Sequence, residues 1–360
     1  MAAPALKWLE RTVKRGMLAA ATRVVPRGSA VPPDWSARVH RVLFLRYDRI
    51  GDMIMATGLI RAIATSHATI QLDELASPVN HTVLDGNPHV RKVMVFDRRR
   101  PAGFLATARA LRREGYDAVI GGMILPSATT MGLMLATRAP HRIGIAPVAG
   151  DHVYTIAVPA VSADRRFVEQ IGQTARVFGV DPDREDWHYD LHLRDDERAR
   201  AEALWQEHPG SPRILVNVSA FTAARRWPAE RYAAVVRHVS ERTPGSSVLV
   251  TGDPSEWNVA RAVALAANAT AVGVTPVREA FALIAAADAL ITPDTSLAHA
   301  ACATGTPAAV LINGKRTIDA PVGERIVRIT GPGELHTLGV GDVLLGVDRL
   351  LALVARNVVR

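Results

Sequence analysis

Apolar residues recur along the chain with two alternating periods. Val42-Leu43-Phe44-Leu45 is a short continuous apolar run of the kind that forms a strand buried on both faces. Behind it, apolar positions at three- and four-residue spacing predict a helix over 53–65. Strands are predicted over 70–75, 93–96 and 118–120, with a helix at 105–113 among them. The stretch 182–190 is polar and turn-rich and reads as a linker. After a helical stretch near 195–207 the pattern restarts with Ile214-Leu215-Val216-Asn217. Helices at 230–241, 256–267, 277–286 and 297–304 then alternate with strands at 248–251, 271–274, 289–292 and 308–312. Alternation of this kind argues for parallel sheets covered by helices on both faces. The expected division is a leader over 1–38, one α/β domain over 39–185 and a second over 186–340. A final amphipathic helix within 341–360 is expected to return and brace the first domain. Two such sheets in tandem imply a ligand cleft between the domains.

Composition narrows the picture. At 360 residues, with 48% hydrophobic and 22% charged side chains, the chain suits two folded domains. The single cysteine, Cys302, excludes a disulfide framework and a multi-cysteine metal cluster, and it fits a reducing cytoplasm. The net charge of +8 is unevenly placed, for residues 1–41 hold eight basic side chains against Glu10 and Asp34. Leu6, Leu9, Val13, Met17 and Val24 give that leader an amphipathic helical pattern. Two readings stay open: docking on an anionic membrane surface, or a helix packed on the protein. Residues 118–137 carry no charge and are long enough to cross a bilayer. Gly121-Gly122, Pro126, Ser127 and three threonines nevertheless make them a strand, a loop and a buried helix. The basic charge lacks the interleaved aromatics of a nucleic-acid surface. Neither a Gly-x-Gly-x-x-Gly loop after the first strand nor a Walker lysine loop is present.

Four loops at strand ends carry candidate chemistry. The first, Arg46-Tyr47-Asp48-Arg49-Ile50-Gly51-Asp52, offers a glycine for a tight turn, an aspartate at a helix start, and two arginines suited to phosphate or carboxylate. Asp52 also fits a plain N-cap. The second, Pro293-Asp294-Thr295-Ser296-Leu297-Ala298-His299, runs from strand to helix, so its amides would meet a diphosphate. Asp294 as an N-cap and His299 as a core residue are the structural alternatives. The third, Asn217 to Pro228, ends in Arg225-Arg226-Trp227-Pro228, cations placed where the helix dipole does not favour them. In the fourth, Glu256 suits a ribose or a helix-start acid equally.

The order of these loops resembles glycosyltransferase family 9, the ADP-heptose:lipopolysaccharide heptosyltransferases. The likeness rests on Ile50-Gly51-Asp52, Arg225-Arg226-Trp227-Pro228, Asp294-Thr295-Ser296-Leu297-Ala298-His299 and Gly305-Thr306-Pro307, and it covers roughly 40–355. It implies the GT-B fold, two Rossmann-like domains facing across a cleft, and inverting transfer from an ADP-sugar to a lipid-linked glycan. By the same resemblance Asp52 is the general base, and Arg46, Arg49 and Gly51 lie on the acceptor side. Arg225, Glu256, Asp294, Thr295, Ser296, Leu297 and His299 hold the donor. Arg225 stands where many members have a lysine. The resemblance implies no metal and no tightly bound cofactor, and a cytoplasmic enzyme peripheral to the inner face of the inner membrane. Nothing in the residues reads the donor base or the sugar. Another nucleotide-sugar donor, a non-catalytic nucleotide-sugar-binding protein and a GT-B-like epimerase are the competing readings.

Overall fold

The computed structural model describes residues 28–100, 103–148, 151–273, 276–314, 321 and 323–358. Most of the leader, 1–27, and the expected strand residue Val274 lie outside them. The chain forms two compact units, Met1–Trp187 and His188–Arg360.

The first unit holds a six-stranded parallel sheet in the order β3-β2-β1-β4-β5-β6. Its strands are β1 (His40–Leu45), β2 (Ile70–Ala76), β3 (Lys92–Val95), β4 (Ala118–Gly121), β5 (His141–Ala146) and β6 (Ile156–Pro159). Central β1 is apolar on both faces, and Val42 through Leu45 have no exposed surface. Helix α1 (Ile50–Ser66) follows it, and every residue from Met53 to Ile60 is buried. Among the described residues, helices α2 (Gly103–Glu114), α3 (Ala128–Thr137) and α4 (Phe167–Gly172) follow in the same unit. The uncharged stretch 118–137 is therefore β4, a loop and α3. Among the described residues no helix is long and apolar enough to cross a membrane.

The second unit repeats the design with strand order β12-β11-β10-β7-β8-β9. Its strands are β7 (Arg213–Asn217), β8 (Ser247–Thr251), β9 (Thr270–Ala271), β10 (Ala289–Pro293), β11 (Ala308–Ile312) and β12 (Ile326–Thr330). Helices α5 (Asp195–Glu207), α6 (Ala229–Arg242), α7 (Trp257–Ala266), α8 (Val277–Ala285), α9 (Ser296–Thr304) and α10 (Val340–Val358) alternate with them. Counted from each unit's first strand, both sheets have the same doubly wound order. In each, the order reverses beside that first strand, and the loops at this switch point open a crevice at the carboxyl edge. In the first unit these loops follow β1 and β4; in the second they follow β7 and β10.

The terminal helix α10 packs on the core of its own unit. Val343, Val347, Leu350 and Val354 form an apolar stripe that joins the buried core of the second unit, against β10, β11, β12 and α6.

Candidate active site

The β1–α1 loop of the first unit is organised around a buried cation. Arg46 is 2% exposed, which excludes the solvated-loop reading. Its guanidinium donates to the Gly122 carbonyl, lies 3.0 Å from Asp48 Oδ1 and 3.5 Å from Asp52 Oδ1, and sits 4.5 Å from the Phe167 ring centre. A fork of five donors can serve several acceptors at once, and a weakly hydrated guanidinium tolerates burial against an aromatic face. The close approach at β4 requires a glycine: a Cβ at Gly122 would meet the Phe44 ring at 2.5 Å and the Leu45 carbonyl oxygen at 2.9 Å.

Asp52 is not the N-cap of α1. That position is Arg49, whose side chain makes no capping bond, and Asp52 lies in the helix's first turn. Its carboxylate remains partly exposed beside Arg46. A negative charge there is favoured by the helix dipole and by the guanidinium together. Gly51 is also reassigned. It lies inside α1 and is not among the glycines with positive φ, so the tight turn expected of it is not made. Arg49 is exposed and stands at the mouth of the loop. Two carboxylates beyond the predicted set belong to this cluster. Burial pushes the Asp48 carboxyl up to about 6, against the pull of Arg46 and with a further push from Asp52. Glu74 on β2 is fully buried, and burial holds its carboxyl well above the usual range. Asp48 was legible as an acid two residues from Arg46, whereas Glu74 had no local signal.

In the second unit, two arginine–acid pairs tie three loops together. Arg225 Nη1 donates to the Asp294 carbonyl at 2.9 Å and lies 3.4 Å from its Oδ2. Arg226 Nε lies 2.7 Å from Glu256 Oε1, and the Ala220 amide donates to Glu256 Oε2 at 3.1 Å. The β7 loop thus reaches the ends of both β8 and β10. Smaller bonds finish the assembly: the Asp253 amide donates to Ser219 Oγ at 2.9 Å, and Asn217 Nδ2 donates to Thr292 Oγ1 at 2.9 Å. Arg226, which pattern alone left beside its neighbour, therefore has its own acid.

The N-terminus of α9 lies in this assembly. Its N-cap is Thr295, with no side-chain capping bond, so Asp294 is not the cap. Asp294 is instead 4% exposed and held by Arg225. Thr295, Ser296 and Leu297 are partly exposed at the helix start, where amides without intrahelical acceptors and the dipole favour an anion. His299 is buried one turn on, its ring 6.3 Å from that of Tyr189. Gly305 closes the helix in the left-handed conformation, φ 72°. The arrangement offers cations, amides and two carboxylates to a ligand carrying both phosphate and hydroxyl groups.

Comparison with known proteins agrees with this reading. The model of glycosyltransferase family 9 (heptosyltransferase) matches residues 104–317, more than half of the chain. Lipopolysaccharide heptosyltransferase 2 of Salmonella typhimurium is 24% identical over 338 residues, 86% of this chain and 94% of that protein. Among solved structures, a family 9 glycosyl transferase from Veillonella parvula superposes with a TM-score of 0.78 at 16% identity. The match covers 89% of this chain and 99% of that one. Escherichia coli heptosyltransferase WaaC with ADP-2-deoxy-2-fluoro heptose gives 0.69 at 18% identity, covering 86% and 99%. The fold is of the GT-B type, as the repeated βα pattern and the loop order lead one to expect.

Proposed function

The chain belongs to glycosyltransferase family 9, and from that premise we propose that it is an inverting heptosyltransferase using ADP-heptose and a lipopolysaccharide core acceptor. The observation that carries the proposal is the pair of arginine–acid clamps, Arg225–Asp294 and Arg226–Glu256, gathered around the start of α9. Cations and carboxylates gathered in one site of the second unit support a donor that carries both phosphate and hydroxyl groups. The Salmonella relative and the ligand of the Escherichia coli neighbour support the choice of heptose and ADP.

In the proposed reaction Asp52 accepts the proton of an acceptor hydroxyl as its oxygen attacks the donor's anomeric carbon. The bond from that carbon to the diphosphate breaks on the opposite face, and ADP departs with the bonding pair. An ordinary carboxylate suffices, because the hydroxyl becomes acidic only as the new bond forms. Arg225 and the amides of Thr295, Ser296 and Leu297 take up the charge that develops on the leaving diphosphate. Glu256 receives the ribose hydroxyls, Asp294 the donor sugar, and His299 backs the diphosphate loop. Arg49, exposed at the mouth of the first loop, is proposed to meet the acceptor's acidic groups. With a lipid-linked acceptor, the enzyme works at the cytoplasmic face of the inner membrane, where the basic leader favours an anionic surface.

Calorimetric titration with ADP-, UDP- and GDP-sugars tests the donor. Binding of ADP-heptose with no heat from the UDP and GDP sugars is expected. Tight binding of a UDP-sugar, with ADP-heptose silent, overturns the heptose assignment.

A further inference from the structure

Glu74 is an unusual residue to find inside a parallel sheet. Its side chain has no exposed surface, and neither carboxylate oxygen makes a hydrogen bond. Its register neighbours are Phe44 on β1 and Val93 on β3, so the flanking strands offer it hydrocarbon alone. The charged groups that act on it are Arg46 and Asp48, both from the β1–α1 loop, and Asp52 of α1 acts in turn on Asp48. Burying an ionised carboxylate without hydrogen bonds costs far more than burying the neutral acid. Burial accordingly raises the Glu74 carboxyl, Asp48 adds to the rise, and the charge and amide of Arg46 oppose it without cancelling it.

Arg46 is pinned from every side. The Gly122 carbonyl and the Phe167 ring hold its guanidinium, and Asn80 Nδ2 donates to its carbonyl at 3.0 Å. One buried positive charge therefore stands among three carboxyl groups, of which Glu74 is fully buried and Asp48 and Asp52 are partly exposed. Were all three ionised, the cluster would carry a net charge of about −2 with little solvent to screen it. The arrangement favours one neutral acid, and Glu74, with no exposed surface, is the most deeply buried of the three.

We propose that Arg46 is a positioning residue for the proton transfer, acting through Asp52, and that Glu74 beneath it is an uncharged acid that leaves the whole guanidinium charge to Asp48 and Asp52. The inference rests on Asp52 being the base, as proposed above. Arg46 then fixes the direction of the Asp52 carboxylate. Glu74, uncharged, does not draw on the guanidinium's charge.

The test uses the full-length protein and three variants. Glu74→Gln puts a neutral amide where the neutral acid stood. The acid limb of its pH–rate profile is expected to stay in place. Its melting temperature is expected to rise relative to the parent as pH climbs above the range where a free glutamate ionises. A melting difference independent of pH, or a displaced acid limb, overturns the neutral Glu74. Arg46→Gln removes the charge: kcat should fall by about tenfold or more, the acid limb should move to higher pH, and calorimetric affinity for ADP should hold. Arg46→Lys retains the charge without the fork, and is the variant to read if Arg46→Gln does not fold. It should lose kcat while keeping the acid limb. An unmoved limb in Arg46→Gln, or full kcat in Arg46→Lys, overturns the positioning role. Full turnover in Asp52→Asn would sink the underlying base assignment, while the melting series still reports the charge state of Glu74.

Discussion

Asp52 and Arg225 show how differently two charged residues at strand ends are employed. Asp52 keeps part of its surface in the open and shares a guanidinium that is buried for it. Its replacement by asparagine keeps the shape and removes the proposed proton acceptor. Turnover should fall by roughly 10²- to 10⁴-fold, with calorimetric affinity for ADP unchanged; a matching loss of ADP affinity would mean that the loop itself had collapsed. Arg225 has the opposite balance. It is about one-fifth exposed, at 19%, and a single nitrogen reaches both the carbonyl and the carboxylate of Asp294. Arg225→Ala removes this arginine from the buried Asp294 and a charge from the proposed donor site. Loss of a charge-assisted bond of about 1.5–3 kcal/mol weakens ADP-sugar binding by roughly tenfold to a hundredfold. Isothermal titration reads this directly, and an unaltered Kd would remove Arg225 from the donor site. Arg225→Lys restores the charge but not the fork, so a partial recovery is expected.

At the scale of elements, α9 is bounded by two different devices. Thr295 opens it with its amides turned to the site, and Gly305 closes it at φ 72°. A Cβ at Gly305 would have open space around it, so a substitution there is penalised by backbone conformation and not by a clash. Gly305→Ala should cost about 1–2 kcal/mol of stability, read from urea unfolding; a change within error would show that the helix end relaxes freely. This ending was legible from Gly305-Thr306-Pro307, as were the central strands β1, β7 and β10, whose apolar runs are buried on both faces. The edges were not. Strands β6 and β12 are largely half-buried or exposed, so no long apolar run marks them. β5 begins His141-Arg142, and a buried arginine in a strand has no signature until its partners are seen: Arg142 donates to the carbonyls of Val153 and Ala139 at 2.8 and 3.0 Å. The same reason hid the burial of Arg46. The proposed diphosphate loop, Asp294-Thr295-Ser296-Leu297, is legible because it sits as one run at a strand end. Arg46, by contrast, reads as a solvated loop cation until Glu74, 28 positions away, and Gly122, across the sheet, are brought to it.

For the whole molecule, the acid cluster of the first unit makes folding depend on pH in a direction opposite to that of most surface acids. The Glu114 and Asp196 carboxyls are held below their ordinary range by the side chains that bond them, Lys92 in one case and Arg200 with Arg194 in the other. Such groups support the fold above their unfolded range and withdraw that support as pH falls. Asp48 behaves in the reverse sense. Its carboxyl is raised by burial from 3.8 to about 6, so between those values the folded chain holds a proton that the unfolded chain has released. Stability from this group is complete below the unfolded value and is lost as pH rises through the folded one. Asp48→Asn removes the titration and leaves the rest of the molecule's pH dependence in place. Relative to the parent, the variant should therefore match it near pH 4 and gain steadily through pH 6. The gain should level off above pH 7 at up to about 3 kcal/mol, the value of a two-unit shift. Denaturant midpoints of parent and variant across that range measure the difference. A gap that opens as pH falls, instead of as it rises, would reverse the sign and place the Asp48–Arg46 attraction above the cost of burying the charge.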